Sequence, residues 1–239
     1  MSNNTNGHRL VLFDIDGTLV SAGSVARDSI LKALEAAYGG WKAGDHHQDR
    51  GRYDFSGKTD PQIVRDLVTE QIGRERCEAD LARALDLYLV QLERMLEPAS
   101  VVPKPGIAAL LERLAREPGV TLALLTGNLE RGARLKLEPP GFNRYFPFGA
   151  FGSDSADRYE LPRIAVERAR RHTGRGFEGK SIVVVGDSVH DVACGRSLGV
   201  RSVAVATGIT GPDRLAAEKP DALMPDFSDT ERSLEAILG

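Results

Sequence analysis

Two acidic residues, Asp14 and Asp16, follow an apolar run near the start of the chain. The run from Leu10 to Phe13 is apolar at every position, which predicts a strand buried on both faces of a parallel sheet. Side chains two residues apart in a strand point to the same side, so both carboxylates start together and Ile15 packs opposite them. Carboxylates held this close repel each other unless a cation or a proton occupies the site. The pair therefore indicates a hard divalent metal with oxygen ligands.

Polar residues also follow two later apolar strands. The strand predicted over 120–125 ends in Thr126-Gly127-Asn128, and the β-branched strand predicted over 181–185 ends in Gly186-Asp187-Ser188. Ligands in open α/β sheets bind beyond the carboxyl ends of the strands. We therefore expect both clusters to lie beside Asp14 and Asp16 at one edge of a sheet.

The segment between the first strand and this sheet is helical in pattern. Residues 22–99 show helical spacing of apolar residues and no clear strand, with helices expected over 24–38, from Thr59 or Asp60 onward, and over about 78–97. A polar stretch over 41–53 predicts an exposed loop, in which His46 and His47 are expected to be solvated and not to bind metal.

Strands and helices alternate after a proline-rich boundary at 98–106, including a short strand expected over 146–151. This alternation predicts an α/β fold with a doubly wound parallel sheet. Residues 1–21 and 100–239 would form this discontinuous core, and residues 22–99 an inserted all-helical cap. Because the insertion leaves the core beside Asp14, we expect it to cover the site as a lid.

Composition limits the class of protein. The 239 residues are 41% hydrophobic and 27% charged, which is typical of a soluble globular protein, and the net charge of −3 gives no general attraction to nucleic acid or anionic membranes. The two cysteines form no CxxC motif, which argues against a disulfide framework and fits a reducing cytoplasm. No basic-apolar leader and no apolar run near the ~18 residues of a membrane helix is present. We therefore expect a cytoplasmic protein that binds neither nucleic acid nor membrane.

The motif Phe13-Asp14-Ile15-Asp16-Gly17-Thr18 resembles the first motif of the haloacid dehalogenase superfamily. The resemblance implies a Rossmann-like core, Asp14 as nucleophile and Asp16 as general acid/base. Thr126 resembles the second motif, in which the hydroxyl, helped by the amides of Gly127 and Asn128 near a helix N-terminus, binds phosphate.

The stretch Gly186-Asp187-Ser188-Val189-His190-Asp191 resembles the fourth motif of that family, an acidic pair of the form GDSxxD. By the resemblance, Mg²⁺ would be held by Asp14, Asp187 and the backbone carbonyl of Asp16. Asp191 would be a further ligand or a residue that orients the ligands.

The third motif of the family, a basic residue before a helix and usually a lysine followed by proline, is altered in this chain. Arg158 lies closest to the expected place, and Arg163, already inside the helix, is the alternative. We favour Arg158 as the phosphate-binding base, because a guanidinium binds phosphate in a bidentate manner.

Gly57-Lys58-Thr59-Asp60 resembles the cap loop of phosphoglycolate-phosphatase-like members. Lys58 is thus a candidate contact for an anionic group of the substrate, and the alternative is an ordinary start of a helix. Asp16 argues against the dehalogenases and phosphonatases of the superfamily, which resemble this chain at Asp14 but lack the second carboxylate.

These resemblances together imply a Mg²⁺-dependent phosphomonoester hydrolase that acts on a small phosphorylated metabolite through an aspartyl phosphate. A phosphomutase that passes the phosphoryl group to a sugar hydroxyl is the alternative within the enzymes. A catalytically idle binding protein on the same core is the alternative from another class, since fold does not fix function. The sequence leaves open the substrate and whether the protein is a monomer or a homodimer.

Overall fold

The computed structural model describes residues 7–44 and 53–239. Its centre is a sheet of six parallel strands in the order β5-β4-β1-β6-β7-β8. The strands are β1 (Arg9–Phe13), β4 (Val120–Leu125), β5 (Gly149–Ala150), β6 (Ile182–Gly186), β7 (Arg201–Val205) and β8 (Ala222–Met224). The chain runs outward from β1 through β4 to β5 and then returns to β6 on the other side, which is the doubly wound topology predicted from the alternation of strands and helices.

Helices cover both faces of this sheet, and the apolar residues of β1 from Leu10 to Phe13 pack alternately against the two faces. Val11 and Phe13 pack on one face with α4 (Ile107–Arg116), α5 (Glu130–Leu137) and α9 (Thr230–Leu238). Leu10 and Leu12 pack on the other face with α6 (Leu161–Thr173) and α7 (Val189–Leu198). A short helix, α8 (Pro212–Ala217), packs beside β8 and was not expected from the sequence. The α/β prediction is therefore confirmed.

Between the first strand and the rest of the sheet, the described residues form three helices with an apolar core of their own. They are α1 (Val25–Ala37), α2 (Asp60–Ile72) and α3 (Arg74–Met95). The core includes Leu34 of α1, Val64 of α2 and Leu92 of α3. We call residues 25–44 and 53–95 the helical segment. No helix in the described ranges 7–44 and 53–239 is long and apolar enough to cross a membrane.

A two-stranded antiparallel ribbon joins the helical segment to the sheet. It pairs β2 (Val20–Ser21) with β3 (Val102–Pro103), where the chain enters and leaves the segment. The sequence did not predict this ribbon, because two residues are too few to show the alternation of a strand. The ribbon therefore holds side by side the two connections between the sheet and the helical segment.

Several predicted boundaries were wrong. Helix α3 begins at Arg74 instead of about Glu78, directly after Gly73, whose φ of 82° ends α2 and allows a sharp turn between the two helices. The strand expected over 146–151 is reduced to Gly149–Ala150 at the sheet edge. The predicted start of α2 agrees with the structure, because Thr59, one of the two expected caps, accepts a hydrogen bond from the backbone N–H of Gln62 at 3.2 Å.

Candidate active site

The carboxyl ends of β1, β4 and β6 meet at one edge of the sheet, since these three strands are neighbours. Asp14 follows β1, Thr126 follows β4, and Asp187 follows β6. The strand order reverses beside β1, and open α/β sheets bind ligands at such a reversal. The topology therefore brings the three predicted strand-end clusters together.

Three buried aspartates form the base of this site, and we call Asp14, Asp187 and Asp191 the carboxylate cluster. Each offers an oxygen within 4.8 Å of the others. Burial and then the Asp191 carboxylate raise the pKa of Asp14 to about 7. Burial and then Asp14 raise the pKa of Asp187 well above its ordinary value. Such a group is stable only with bound protons or a cation, and its all-oxygen donors suit Mg²⁺.

The three carboxylates differ in how many protein donors they meet. Asp191 accepts hydrogen bonds on Oδ2 from the N–H and the hydroxyl of Ser188, at 3.0 and 2.6 Å, and its Oδ1 contacts Arg158. Asp187 accepts at Oδ1 from the hydroxyl of Thr18 at 3.0 Å. Because both oxygens of Asp191 are already engaged, it is better placed to orient the cluster than to bind a metal.

Arg158 lies against the cluster as its counter-charge. It begins a short 3₁₀ turn before α6, is 5% exposed, and its Nη2 lies 3.2 Å from Asp14 Oδ1. Burial would lower the pKa of Arg158, but Asp191 and Asp14 raise it further, so the guanidinium stays charged. Its Nε is buried without a hydrogen-bond partner in the described part of the chain. Arg163, the alternative, is exposed on α6 and pairs with Glu160 at 3.6 Å, away from the cluster.

Asp16 has a different environment, which we call the Asp16 network: Asp16, Asn128 and Lys136. The ammonium of Lys136 lies 2.9 and 2.7 Å from the two carboxylate oxygens of Asp16 and 2.6 Å from Asn128 Oδ1. Asn128 Nδ2 donates to Asp16 Oδ2 at 2.7 Å and to the hydroxyl of Thr126 at 2.8 Å. The Asp16 side chain is 44% exposed, whereas that of Lys136 is 2% exposed.

The helical segment contacts the loop that carries this network. Asp60, at the start of α2, donates its N–H to the carbonyl of Gly127 and accepts the N–H of Leu129 on its carboxylate, both at 2.8 Å. A Cβ at Gly127 would collide with the carbonyl of Lys58, so glycine permits this close approach. Burial raises the pKa of Asp60 to about 6, and Lys136 opposes the rise.

A cavity of about 700 Å³ opens between the strand ends and the helical segment. Thr126, Gly127 and Asn128 line it from the sheet, and Arg27, Tyr53 and Lys58 line it from the helical segment. The Lys58 ammonium lies 3.0 Å from Asp66 Oδ2 and 4.0 Å from the centre of the Tyr53 ring. Lys58 therefore lines the cavity, and its ammonium pairs with Asp66 of the same helical segment.

Sequence reasoning missed Lys136, and considered Asp60 only as a helix cap. A signal for Lys136 existed: it follows Leu129 and Ala133 at helical spacing, on the face that α5 buries. A lysine in that row must find an acidic partner in the interior. His46 and His47 lie outside the described residues.

Comparison with known proteins relates the chain to phosphatases. The chain is 28% identical over 225 residues to a phosphoglycolate phosphatase from Agrobacterium fabrum, covering 92% of this chain and 89% of the relative. It is 26% identical over 222 residues to the pyrophosphatase PpaX from Halalkalibacterium halodurans, covering 92% and 94%. The fold resembles that of a predicted phosphatase from Clostridium acetobutylicum, with a TM-score of 0.73, 18% identity, and 95% and 99% of the two chains covered.

The sequence profile of the haloacid dehalogenase-like hydrolases matches residues 8–199. The chain belongs to this family. Both the resemblance seen in the sequence and the prediction of a hydrolase of the phosphatase class are thereby confirmed.

Proposed function

We propose that this protein is a Mg²⁺-dependent phosphomonoester hydrolase in which Asp14 becomes transiently phosphorylated. The observation that carries the proposal is the position of Asp14: buried after β1, inside the carboxylate cluster, and 3.2 Å from Arg158 at the base of the cavity. A carboxylate so placed can attack a group that enters from the cavity, and a guanidinium beside it can bind the oxygens of a phosphate.

The carboxylate cluster fits a divalent metal. Asp14, Asp187 and the backbone carbonyl of Asp16 would hold it, and Asp191 would orient the ligands through Ser188 and Arg158. The bound metal would neutralise oxygens of the transferring phosphoryl group. Without a cation, burial and mutual repulsion favour the protonated forms of Asp14 and Asp187, and a protonated Asp14 is a poor nucleophile.

The reaction then proceeds on the side chains of this chain. An Asp14 oxygen attacks phosphorus, the bond to the ester oxygen breaks, and a protonated Asp16 gives its proton to the departing alkoxide. In the second step the Asp16 carboxylate takes a proton from water, whose oxygen attacks phosphorus and releases Asp14 and inorganic phosphate. Arg158 and the hydroxyl of Thr126, with the amides of Gly127 and Asn128, would bind the phosphate oxygens in both steps.

The different exposures of the two aspartates support these roles. The side chain of Asp14 is 9% exposed and that of Asp16 is 44% exposed, and both residues line the cavity. A nucleophile benefits from a dry site, whereas a proton carrier must reach both the leaving group and water.

The helical segment would act as the cap of this site, and Lys58 would contact an anionic group of a small phosphorylated metabolite. The support is the cavity, which both parts of the chain line. Mobility of the segment about the β2–β3 ribbon is part of the proposal. Both cysteines are free and buried, which fits the cytoplasmic location that the sequence predicts.

A phosphatase assay on a panel of phosphorylated metabolites, with Mg²⁺ and with EDTA, tests this function. We expect phosphate release from at least one small monoester, and its loss on chelation. Full activity after exhaustive chelation would contradict the metal, and no release from any ester would contradict the phosphatase.

A further inference from the structure

The least expected side chain in the interior is Lys136. It is a lysine on the buried face of α5, with only 2% of its side chain exposed. Burying an ammonium is costly unless it is paired and hydrogen-bonded. Its three N–H donors meet three oxygens, two from Asp16 and one from Asn128, at 2.9, 2.7 and 2.6 Å. Among the described residues, the hydrogen-bond partners of the Lys136 ammonium are thus all in the Asp16 network.

The geometry of the network fixes the Asp16 carboxylate from two directions. Lys136 contacts both oxygens, and Asn128 Nδ2 donates to one of them at 2.7 Å. Asn128 is itself held, because its oxygen faces the ammonium and its nitrogen also donates to Thr126. A carboxylate that is 44% exposed would otherwise rotate freely about its side-chain bonds.

The loop behind the network is held from the helical segment. The Asp60 carboxylate accepts the N–H of Leu129, the residue after Asn128, at 2.8 Å. The network is therefore supported on one side by α5, through Lys136, and on the other by α2, through Asp60.

We propose that Lys136, through its contacts with Asp16 and Asn128, is the positioning residue that aims the Asp16 carboxylate at the water that hydrolyses the phosphorylated Asp14. The proposal rests on the proposed function. Lys136 is assigned no contact with the reacting phosphoryl group. Its effect passes through Asp16, and this makes it separable from a residue that stabilises the fold.

The two steps of the reaction distinguish a residue that positions Asp16 from a residue that only stabilises the fold. With nitrophenyl phosphate, a good leaving group needs no proton, so formation of the phosphorylated Asp14 does not depend on Asp16. The hydrolysis of the phosphorylated Asp14 does depend on Asp16, which would take the proton from the attacking water. Lys136→Met should therefore lower kcat by about 10²-fold, within the range for general acid–base help. KM should fall with kcat, so that kcat/KM stays within about threefold of the parent. The phosphorylated protein should accumulate.

Asp16→Asn and the double variant test whether the effect passes through Asp16. If it does, adding Lys136→Met to Asp16→Asn should cost less than about threefold more, because the two changes disable one function. Arg134→Gln is the matched control: it removes a cation from the same helix, but Arg134 pairs with Glu130 and Phe146 and not with the network. It should leave kcat and KM unchanged and should show no more phosphoryl adduct than the parent protein.

The substituted protein should fold, because the carboxylate that loses its partner remains 44% exposed and hydrated. Lys136→Gln, which keeps a donor but no charge, serves as a second variant and should show the same kcat and KM pattern in a weaker form. Equal loss of kcat/KM and kcat without accumulation, or full additivity with Asp16→Asn, would overturn the proposal. A parent protein that neither releases phosphate nor becomes phosphorylated would instead overturn the proposed function, and this proposal with it.

Discussion

The two aspartates that follow β1 stand only two residues apart, yet the protein surrounds them differently. Asp14 lies in the carboxylate cluster, whose three aspartates face the buried guanidinium of Arg158. Asp16 lies in its own network, paired with Lys136 and open to the cavity. An added cation would relieve the repulsion in the first environment, whereas in the second the Asp16 side chain already faces the side chain of Lys136 at 2.7 Å. This difference supports the proposal that one strand end supplies a nucleophile, Asp14, in a cluster that suits a metal, and a proton carrier, Asp16, that is held by side chains of the chain itself.

The largest expected effect comes from removing the nucleophile. Asp14→Asn should abolish hydrolysis of every phosphate ester to below detection, because no phosphorylated intermediate can form. Steady-state assays with an alkyl and an aryl phosphate measure this. A residual rate that is equal on both esters and proportional to the amount of variant would show that another group is the nucleophile.

The next effect is that of the buried counter-charge. Arg158→Ala should slow turnover by about 10²–10³-fold, because it would remove the donor proposed to bind the phosphate in both steps. The control is Arg163→Ala, an exposed arginine on the adjoining helix whose loss should change kcat/KM by less than about twofold. If Arg163→Ala is the damaging change and Arg158→Ala is nearly silent, the wrong arginine has been assigned to the phosphate.

A smaller effect is expected across the cavity. Lys58→Ala should raise KM for the metabolite about tenfold, the equivalent of one charged hydrogen bond. Hydrolysis of nitrophenyl phosphate should hardly change, because Lys58 would touch the leaving group and not the phosphoryl group. The control is Lys32→Ala, an exposed lysine of α1 that does not line the cavity. Equal losses on both esters, or none, would make Lys58 an ordinary helix-start residue.

The smallest effect concerns stability and pH. The fold raises the pKa of Asp14 from its ordinary value of 3.8, which applies to the unfolded chain, to about 7. Between these pH values the folded protein therefore binds more protons than the unfolded chain, and metal-free stability falls as pH rises through this interval. Mg²⁺ would remove the repulsion, so it should raise Tm by a few degrees more at pH 8 than at pH 5. Thermal unfolding with Mg²⁺ and with EDTA measures the difference.

Asp14→Asn is the control for this pH effect. It should raise Tm in EDTA at pH 8 although it abolishes activity, since it removes one of the repelling carboxylates. A Tm gain from Mg²⁺ that is the same at pH 5 and pH 8 in the parent protein would contradict the cluster as the metal site.

The fold was largely predictable from sequence because each of its central strands contains an uninterrupted apolar run. The runs before Asp14, Thr126 and Asp187 could only be buried parallel strands, and their order along the chain implied the doubly wound sheet. The β2–β3 ribbon was not predictable, since its two-residue strands show no period. Strand β5 was overestimated because apolar loop residues surround Gly149–Ala150.

The residues of the candidate site that directly follow a strand could be predicted from the sequence, whereas Lys136, which lies within a helix, could not. Strand topology alone brings Asp14, Thr126 and Asp187 to one edge. The partner of Asp16 is Lys136, ten residues after Thr126, and its direction depends on the rotation of α5 about its axis. Such a rotation is set by packing and not by local sequence. The helical spacing of Ala133 and Lys136 therefore indicated a shared face of α5, but not that this face contacts Asp16.

The central claim is that Asp14 carries the phosphoryl group and Asp16 removes it, and intact mass measurement of Asp16→Asn tests both parts at once. The variant, given Mg²⁺ and nitrophenyl phosphate, should accumulate one phosphoryl adduct that maps to the peptide containing Asp14 and is released by hydroxylamine. The parent protein should show little adduct, because Asp16 activates the water that removes it. An adduct that persists in the Asp14→Asn, Asp16→Asn double variant, or turnover of an alkyl phosphate by Asp16→Asn at the parent rate, would contradict the account.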